Sequence, residues 1–220
     1  MFCTPQSEEN TDPFKQLIIM DYSGSMQQND PQQLRLQAVQ DLINRYANTP
    51  SVYFAFLPFS DQNRPLPSLG MDFTNDPNAL NTAVTELQNV PSQGGTNYQD
   101  ALAWAWDAIT IDIDKDENIP GTRYGILFVT DGRPNVPEQG GPDQALAANR
   151  PKIHDRITGC FGFHANRPLD TLIEFMNTYF LAVQPDPAAS ALLQDMAEGP
   201  RLPVDACRPT NWGHGEFTEV

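Results

Sequence analysis

The sequence predicts an α/β fold: a doubly wound, mostly parallel central sheet with helices on both faces, in a Rossmann-like arrangement. Short continuous apolar runs, such as residues 17–20 and 124–130, are typical of strands buried on both faces. These runs alternate along the chain with segments whose apolar residues recur at helical spacing. Residues 68–74 predict one short antiparallel strand at the edge of this sheet.

The first half of the chain contains two further predicted helices between its strands. The first strand covers residues 17–20, and the second covers residues 52–59. An Asp-Pro pair precedes each helix, at 30–31 and 76–77, where the aspartate caps the helix and the proline occupies its first turn. Apolar residues then recur at helical spacing: Leu34, Ala38, Val39, Leu42, Ile43 and Tyr46 in one helix, and Leu80, Ala83, Val84 and Leu87 in the other.

The second half continues the alternation, and the whole chain predicts one main domain. We expect an amino-terminal arm at 1–14, the domain at 15–206 and a C-terminal tail at 207–220 that belongs to a longer protein. The predicted elements are a helix after Thr96, strands at 124–130 and 157–163, helices at 144–156, 169–176 and 189–197, and a last short strand at 201–206.

The composition excludes some classes of partner. The chain has 220 residues, which suffice for one buried core, and a formal charge of −15 from 28 acidic and 13 basic residues. Such a charge disfavours binding to nucleic acid or to an anionic membrane surface. An equally simple reading is that the charge keeps a secreted protein soluble. No apolar run approaches the roughly 20 residues of a membrane span, so no membrane insertion of this segment is expected.

Five side chains that carry oxygen are placed where predicted strands end and loops begin. Asp21, Ser23 and Ser25 follow the first strand, Thr96 follows a Gly-Gly pair, and Asp131 follows the strand at 124–130. Ligands of open α/β sheets bind at the carboxyl ends of the strands, so we expect these side chains to converge. Hydroxyl and carboxylate oxygens suit a hard divalent cation, and the sequence therefore predicts a divalent-cation site.

The same residues do not match the catalytic motifs that resemble them. A phosphate-accepting aspartate usually has a second acid two positions later, but position 23 is serine. Ser23 also lacks the first glycine of the G-x-S-x-G turn of serine hydrolases. Residues 112–123 open like a calcium-binding loop, yet they lack its glycine at position six and its glutamate at position twelve. These mismatches favour a binding protein rather than an enzyme.

The three segments, in this order, resemble the metal-ion-dependent adhesion site of von Willebrand factor type A domains. The resemblance covers residues 15–206 and implies the vWA fold. It implies that Ser23 and Ser25 bind magnesium directly, while Thr96 and Asp131 exchange direct and water-mediated roles. It also implies that a carboxylate of another protein completes the coordination of the ion, and that manganese or calcium substitutes for magnesium.

The resemblance implies a non-enzymatic, adhesin-like binding module of the extracellular space, cell surface or cell envelope. Its partner would be a protein that presents Asp or Glu, and the module would belong to a larger surface protein. The alternative is an intracellular vWA module for assembly or regulation beside an ATPase or a chaperone. We expect four residues around the ion to form the rim of the binding site: Tyr22, Met26, Asn97 and Arg133.

The three cysteines fit no zinc-binding spacing and no C-x-x-C motif. Cys160 lies inside a predicted strand, where a buried free thiol is the common outcome. Cys3 and Cys207 bracket the domain, so we expect a disulfide bond between them and an oxidising compartment. A bridge from Cys160 to Cys207, or a lipid anchor at Cys3, remains as an alternative.

Overall fold

A five-stranded parallel sheet forms the centre of this computed structural model, which describes residues 12–46, 49–115, 119–137, 141–160, 162–181, 186–199 and 215–219. The strand order is β2-β1-β3-β4-β5, and every neighbouring pair is parallel. The predicted α/β class is confirmed. The strands are β1 (Phe14–Asp21), β2 (Val52–Phe59), β3 (Arg123–Thr130), β4 (Phe175–Phe180) and β5 (Phe217–Glu219).

Helices cover both faces of the sheet. They are α1 (Met26–Asn29), α2 (Leu34–Tyr46), α3 (Pro77–Gln88), α4 (Tyr98–Ile113), α5 (Pro142–Thr158), α6 (Leu169–Leu172) and α7 (Pro187–Glu198). Side chains of β1 alternate between two cores: Leu17 and Ile19 pack with α4, α5 and α7, whereas Ile18 and Met20 pack with α2 and α3. None of the helices in the described part of the chain is both long and apolar enough to cross a membrane.

The two Asp-Pro signals cap helices in different ways. Asp76 accepts hydrogen bonds from the backbone nitrogens of Asn78 and Ala79 at 3.2 and 3.3 Å, and Pro77 opens α3 as predicted. Asp30 instead accepts from the nitrogen of Leu34 at 2.6 Å, because a turn separates it from the first residue of α2. The capping role of Asp30 is confirmed, but Pro31 lies before the helix.

The antiparallel edge strand predicted at 68–74 is absent from the described sheet. Only an isolated bridge joins Phe54 to Thr74, with N–H···O distances of 2.8 and 2.9 Å in the two directions. The chain turns at Gly70, whose φ of 60° lies in the left-handed region. This turn leaves too short an extended segment for a strand.

The region after residue 156 differs most from the prediction. The predicted strand at 157–163 is wrong because α5 continues to Thr158 and ends at Gly159, whose φ is 65°. The helix predicted at 169–176 shrinks to α6, and β4 follows it. The strand predicted at 201–206 lies outside the described residues. Part of the predicted tail belongs to the sheet instead, since β5 pairs with β4.

The cysteine pairing also differs. Cys160 lies in the turn after α5 and is disulfide-bonded, so the expectation of a free thiol there is wrong. The prediction assumed that Cys160 lies in a buried strand. In a turn at the end of a helix, a cysteine is instead accessible to another segment of the chain. Cys3 and Cys207 both lie outside the described residues. Because the chain has three cysteines, the bond at Cys160 excludes the predicted bridge between the other two.

One buried carboxylate should make the stability of the fold depend on pH. Asp170 in α6 is 4% exposed, and burial raises its pKa to about 6. In the unfolded chain its pKa is about 3.9, so the folded state binds the proton more tightly. The free energy of unfolding should therefore fall as the pH rises from about 4 to about 6.

Replacing this carboxylate with an amide should remove that loss. We expect the free energy of unfolding of Asp170→Asn to exceed that of the wild type by about 1–2 kcal/mol at pH 7. At pH 4 the two values should be equal. Urea titrations at both pH values measure the difference, with Asp41→Asn on the exposed side of α2 as the control. An equal gain for Asp170→Asn at both pH values would contradict the role of the carboxylate.

Candidate metal site at the carboxyl edge of the sheet

Three loops meet at the carboxyl edge of the sheet, as the sequence predicts. Asp21 ends β1, and Asp131 follows the neighbouring parallel strand β3, so both carboxylates lie at the same edge. The loop before α4 is joined to the loop after β1 by two backbone hydrogen bonds: Gly24 N–H donates to the carbonyl of Gly94 at 3.1 Å, and Gln93 N–H donates to the carbonyl of Tyr22 at 2.8 Å. It is joined to the loop after β3 by the N–H of Asn135, which donates to the carbonyl of Thr96 at 3.0 Å. The strand ends therefore bring the three predicted segments together.

Three of the predicted ligands form a chain of close oxygens. The Ser23 and Ser25 Oγ atoms are 3.1 Å apart, and Ser25 Oγ donates to Asp131 Oδ1 at 2.8 Å. Neighbouring oxygens around an octahedral Mg²⁺ with bonds of about 2.1 Å are about 3 Å apart. The two separations between these three oxygens therefore fit two adjoining edges of an octahedral magnesium shell.

Asp21 is fully buried, and the protein occupies both of its carboxylate oxygens. Oδ1 accepts from the backbone nitrogen of Ser23 at 2.6 Å, and Oδ2 accepts from the hydroxyl of Thr130 at 2.6 Å. The hydroxyl of Tyr98 lies 3.0 Å from Thr130 Oγ1 and 2.6 Å from the carbonyl oxygen of Gly132. This arrangement suits a carboxylate that acts on a cation through water and orients the loop of the serines.

Both carboxylates are difficult to ionise without a cation. Burial and the charge of Asp131 raise the pKa of Asp21 to about 7. Burial also raises the pKa of Asp131, although hydrogen bonds from Asn29 (3.0 Å) and Ser25 oppose the shift. A divalent cation between the loops would relieve both the desolvation and the repulsion, so the residues present fit such an ion.

The last predicted ligand, Thr96, is held by its backbone. Its N–H donates to Asn135 Oδ1 at 2.8 Å, and its carbonyl accepts from the Asn135 N–H at 3.0 Å. Thr96 is 2% exposed. Within the part of the chain that the structure describes, its hydroxyl makes no hydrogen bond, so it remains available as a ligand.

The sequence around this candidate site matches a known protein family. A family model described as the von Willebrand factor type A domain matches residues 17–133, more than half of the chain. The chain belongs to this family. The vWA match contains all five candidate ligands. A comparison with curated protein sequences gave no match.

Solved structures of low sequence identity share the fold of this vWA domain. A von Willebrand factor type A protein from Catenulispora acidiphila is 16% identical with a TM-score of 0.56, over 95% of this chain and 39% of its own length. The PilB minor pilin from Streptococcus sanguinis is 13% identical with a TM-score of 0.66, over 98% of this chain and 59% of its own length. The vWA chain thus spans less than two thirds of either protein.

Two of the four residues predicted for the rim are buried in the vWA domain. Tyr22 and Met26 are buried, with exposed fractions of 0% and 1%, so they do not form a rim as expected. Tyr22 turns inward because its hydroxyl donates to the carbonyl of Leu87 in α3 at 2.9 Å. Asn97 is half-buried and caps α4 through the backbone nitrogen of Asp100 at 3.2 Å.

Arg133 lies in the loop after Asp131, but its guanidinium is already engaged. It pairs with Asp143 at the start of α5 and with Asp186, the N-cap of α7, through both carboxylate oxygens of Asp186. These partners raise the pKa of Arg133 well above its usual range. The loop after Asp131 is thereby tied to two helices. The predicted contact of Arg133 with a carboxylate of a partner protein would require breaking these ion pairs.

The candidate site of the vWA domain contains few acidic side chains. No cluster of three or more His, Cys, Asp or Glu side chains suited to a metal occurs among the described residues. The candidate ligands are two carboxylates and three hydroxyls, a set suited to a small hard cation that keeps much of its charge. Sequence analysis missed four supporting residues: Asn29, Tyr98, Thr130 and Asn135.

Proposed function

We propose that this vWA domain is a non-enzymatic binding module that holds a protein ligand through a divalent cation. The cation would be magnesium, with manganese or calcium as substitutes. The observation that carries this proposal is the oxygen chain from Ser23 through Ser25 to Asp131, at distances of 3.1 and 2.8 Å that match a magnesium shell. The full ligand set would be Asp21, Ser23, Ser25, Thr96 and Asp131, a metal-ion-dependent adhesion site.

The charge of the domain explains why an ion is needed for an acidic partner. At a formal charge of −15 the domain repels carboxylates, and Arg133, the basic residue of the loop after Asp131, is already paired. An ion held mainly by neutral hydroxyls keeps a strong local positive charge. It would accept an Asp or Glu side chain of the partner as its remaining ligand.

The adhesin-like character of the proposal has a second support. PilB, which is named a minor pilin, shares the fold with a TM-score of 0.66. We infer that the domain acts at the cell surface or envelope as part of a larger protein. The intracellular alternative, an assembly module beside an ATPase, has no comparable support in the described structure.

Peptide selection tests the proposal without a known partner. A displayed library of random peptides is bound to the immobilised domain in magnesium and eluted with a chelator. We expect the eluted peptides to share an Asp or Glu whose replacement by Asn or Gln abolishes binding. Selected peptides that bind equally well in chelator would place the interaction on another surface.

Thr96→Ala should separate ligand binding from folding. We expect it to weaken binding of a selected peptide by about tenfold or more, because the hydroxyl serves the ion, and to change the free energy of unfolding by less than about 1 kcal/mol. Thr85→Ala, on the exposed face of α3, is the matched control. Wild-type affinity of Thr96→Ala, or of a folded Ser23→Ala/Ser25→Ala variant, would contradict the assignment.

A further inference from the structure

We propose that Asn135 is a positioning residue that locks the loop of Thr96 onto the loop of Asp131 and so presents the Thr96 hydroxyl to the ion. The inference rests on the proposed metal-dependent function and assigns a role to a residue that no motif marks. Asn135 does not touch the ion. It would act through the backbone of Thr96.

Asn135 pairs with both backbone groups of Thr96. Its side-chain Oδ1 accepts the Thr96 N–H at 2.8 Å, and its own N–H donates to the Thr96 carbonyl at 3.0 Å. The N–H of Val136 also points to that carbonyl, at 3.4 Å. One residue therefore fixes the orientation of the peptide groups on either side of the Thr96 side chain.

The shape of the neighbouring residue supports the same contact. A Cβ atom on Gly95 would lie 2.6 Å from Asn135 Oδ1 and 3.2 Å from both methyl groups of Val136. Any side chain at position 95 would thus displace the Asn135 amide from the Thr96 N–H. The glycine leaves the space that this hydrogen bond requires.

The loop that carries Asn135 is itself firmly held. The Tyr98 hydroxyl lies 2.6 Å from the Gly132 carbonyl oxygen, and Arg133 pairs with Asp143 and Asp186. These contacts tie the loop to α4, α5 and α7. Thr96 is therefore positioned against a rigid support that begins at Asp131, and its hydroxyl and the Asp131 carboxylate reach the ion as a unit.

Magnesium titration of metal-stripped protein by calorimetry tests this role, with magnesium alone as the probe. Asn135 is exposed, so its replacement should leave the metal-free fold almost unchanged. We expect Asn135→Ala to weaken magnesium binding by about 2- to 10-fold, the range for one net hydrogen bond. Asn135→Asp keeps the acceptor and should bind at least as tightly as the wild type.

Two further variants sharpen the test. Asn75→Ala removes an amide that bonds the Pro50 carbonyl at the opposite end of the sheet, and it should not change magnesium affinity. Gly95→Ala should weaken magnesium binding as much as Asn135→Ala does. The double variant should bind magnesium as well as either single variant, because both substitutions remove the same hydrogen bond from the Thr96 N–H to Asn135.

The outcomes separate the two proposals. Wild-type protein that fails to bind magnesium would overturn both the proposed function and this inference. Wild-type protein that binds magnesium while Asn135→Ala binds equally well would overturn the role of Asn135 alone. Equal losses in Asn135→Ala and Asn135→Asp, or full additivity with Gly95→Ala, would also overturn it.

Discussion

Magnesium at one hundred times its dissociation constant should raise the melting temperature of the metal-stripped domain by about 5–10 °C. A ligand that binds only the folded state at that ratio contributes about 2.7 kcal/mol. A change of 1 kcal/mol shifts the midpoint of a domain of this size by about 2–4 °C. Differential scanning calorimetry in chelator and in magnesium measures the increment.

Relative to the wild type, Asp21→Asn should be at least as stable without metal and less stable in magnesium. Without metal, above pH 7, the variant should melt at or above the temperature of the wild type, because it removes a buried charge whose pKa is raised to about 7 by burial and by Asp131. In magnesium, most of the increment should disappear because the ion loses a carboxylate.

The exposed Asp41→Asn variant serves as the control and should respond to magnesium like the wild type. A purely structural Asp21 would instead give a variant that is less stable in both conditions. An undiminished magnesium increment in Asp21→Asn would remove this residue from the site.

The five candidate ligands could be proposed from the sequence because each lies directly beside a local signal. Asp21 and Asp131 follow buried apolar runs, and parallel strands bring such ends to one edge. The supporting residues were not predictable in this way. Asn29 meets Asp131, and Asn135 meets Thr96, only because loops distant in sequence meet in space.

The prediction of the rim failed for the same reason: contacts between segments distant in sequence. Tyr22 and Met26 flank the ligands in sequence, but burial is decided by what packs beneath the loop. The hydroxyl of Tyr22 reaches the carbonyl of Leu87, 65 positions later, and this contact turns the ring inward. A position close in sequence to a candidate metal ligand therefore did not predict that the side chain is exposed to solvent.

The missed strand β4 shows the limit of apolar periodicity. Leu169, Ile173 and Met176 recur at helical spacing, which predicted one helix. In the structure α6 ends at Leu172, and burial then alternates along β4, with Met176, Thr178 and Phe180 buried. A short strand next to a short helix matches a helical pattern by coincidence, and pairing with β3 decides between them.

A second large effect is expected at Asp30, which directly follows α1. Its carboxylate caps α2 and also accepts from Arg35 Nη1 at 2.6 Å, and the two side chains are only 4% and 1% exposed. The Arg35 guanidinium lies 4.5 Å from the centre of the Tyr22 ring. Removing one member of a buried pair leaves the other charge without compensation, which costs about 3–5 kcal/mol.

We therefore expect Asp30→Ala to lower the free energy of unfolding by about 3–5 kcal/mol, measured by urea titration in chelator so that metal binding does not contribute. Asp76→Ala is the matched control because it removes a helix cap that carries no buried partner, and it should cost about 1 kcal/mol. Equal losses in the two variants would show that the ion pair adds nothing to the cap.

A double variant separates the buried charge from the cap. Asp30→Ala/Arg35→Met removes both charges and fills the space of the arginine stem with an apolar chain, so it should recover most of the loss and leave about the 1 kcal/mol of the missing cap. Its magnesium increment should stay close to that of the wild type, since neither residue is a candidate ligand. A double variant as unstable as Asp30→Ala would mean that packing of Arg35 against Tyr22, rather than its charge, makes Asp30 important.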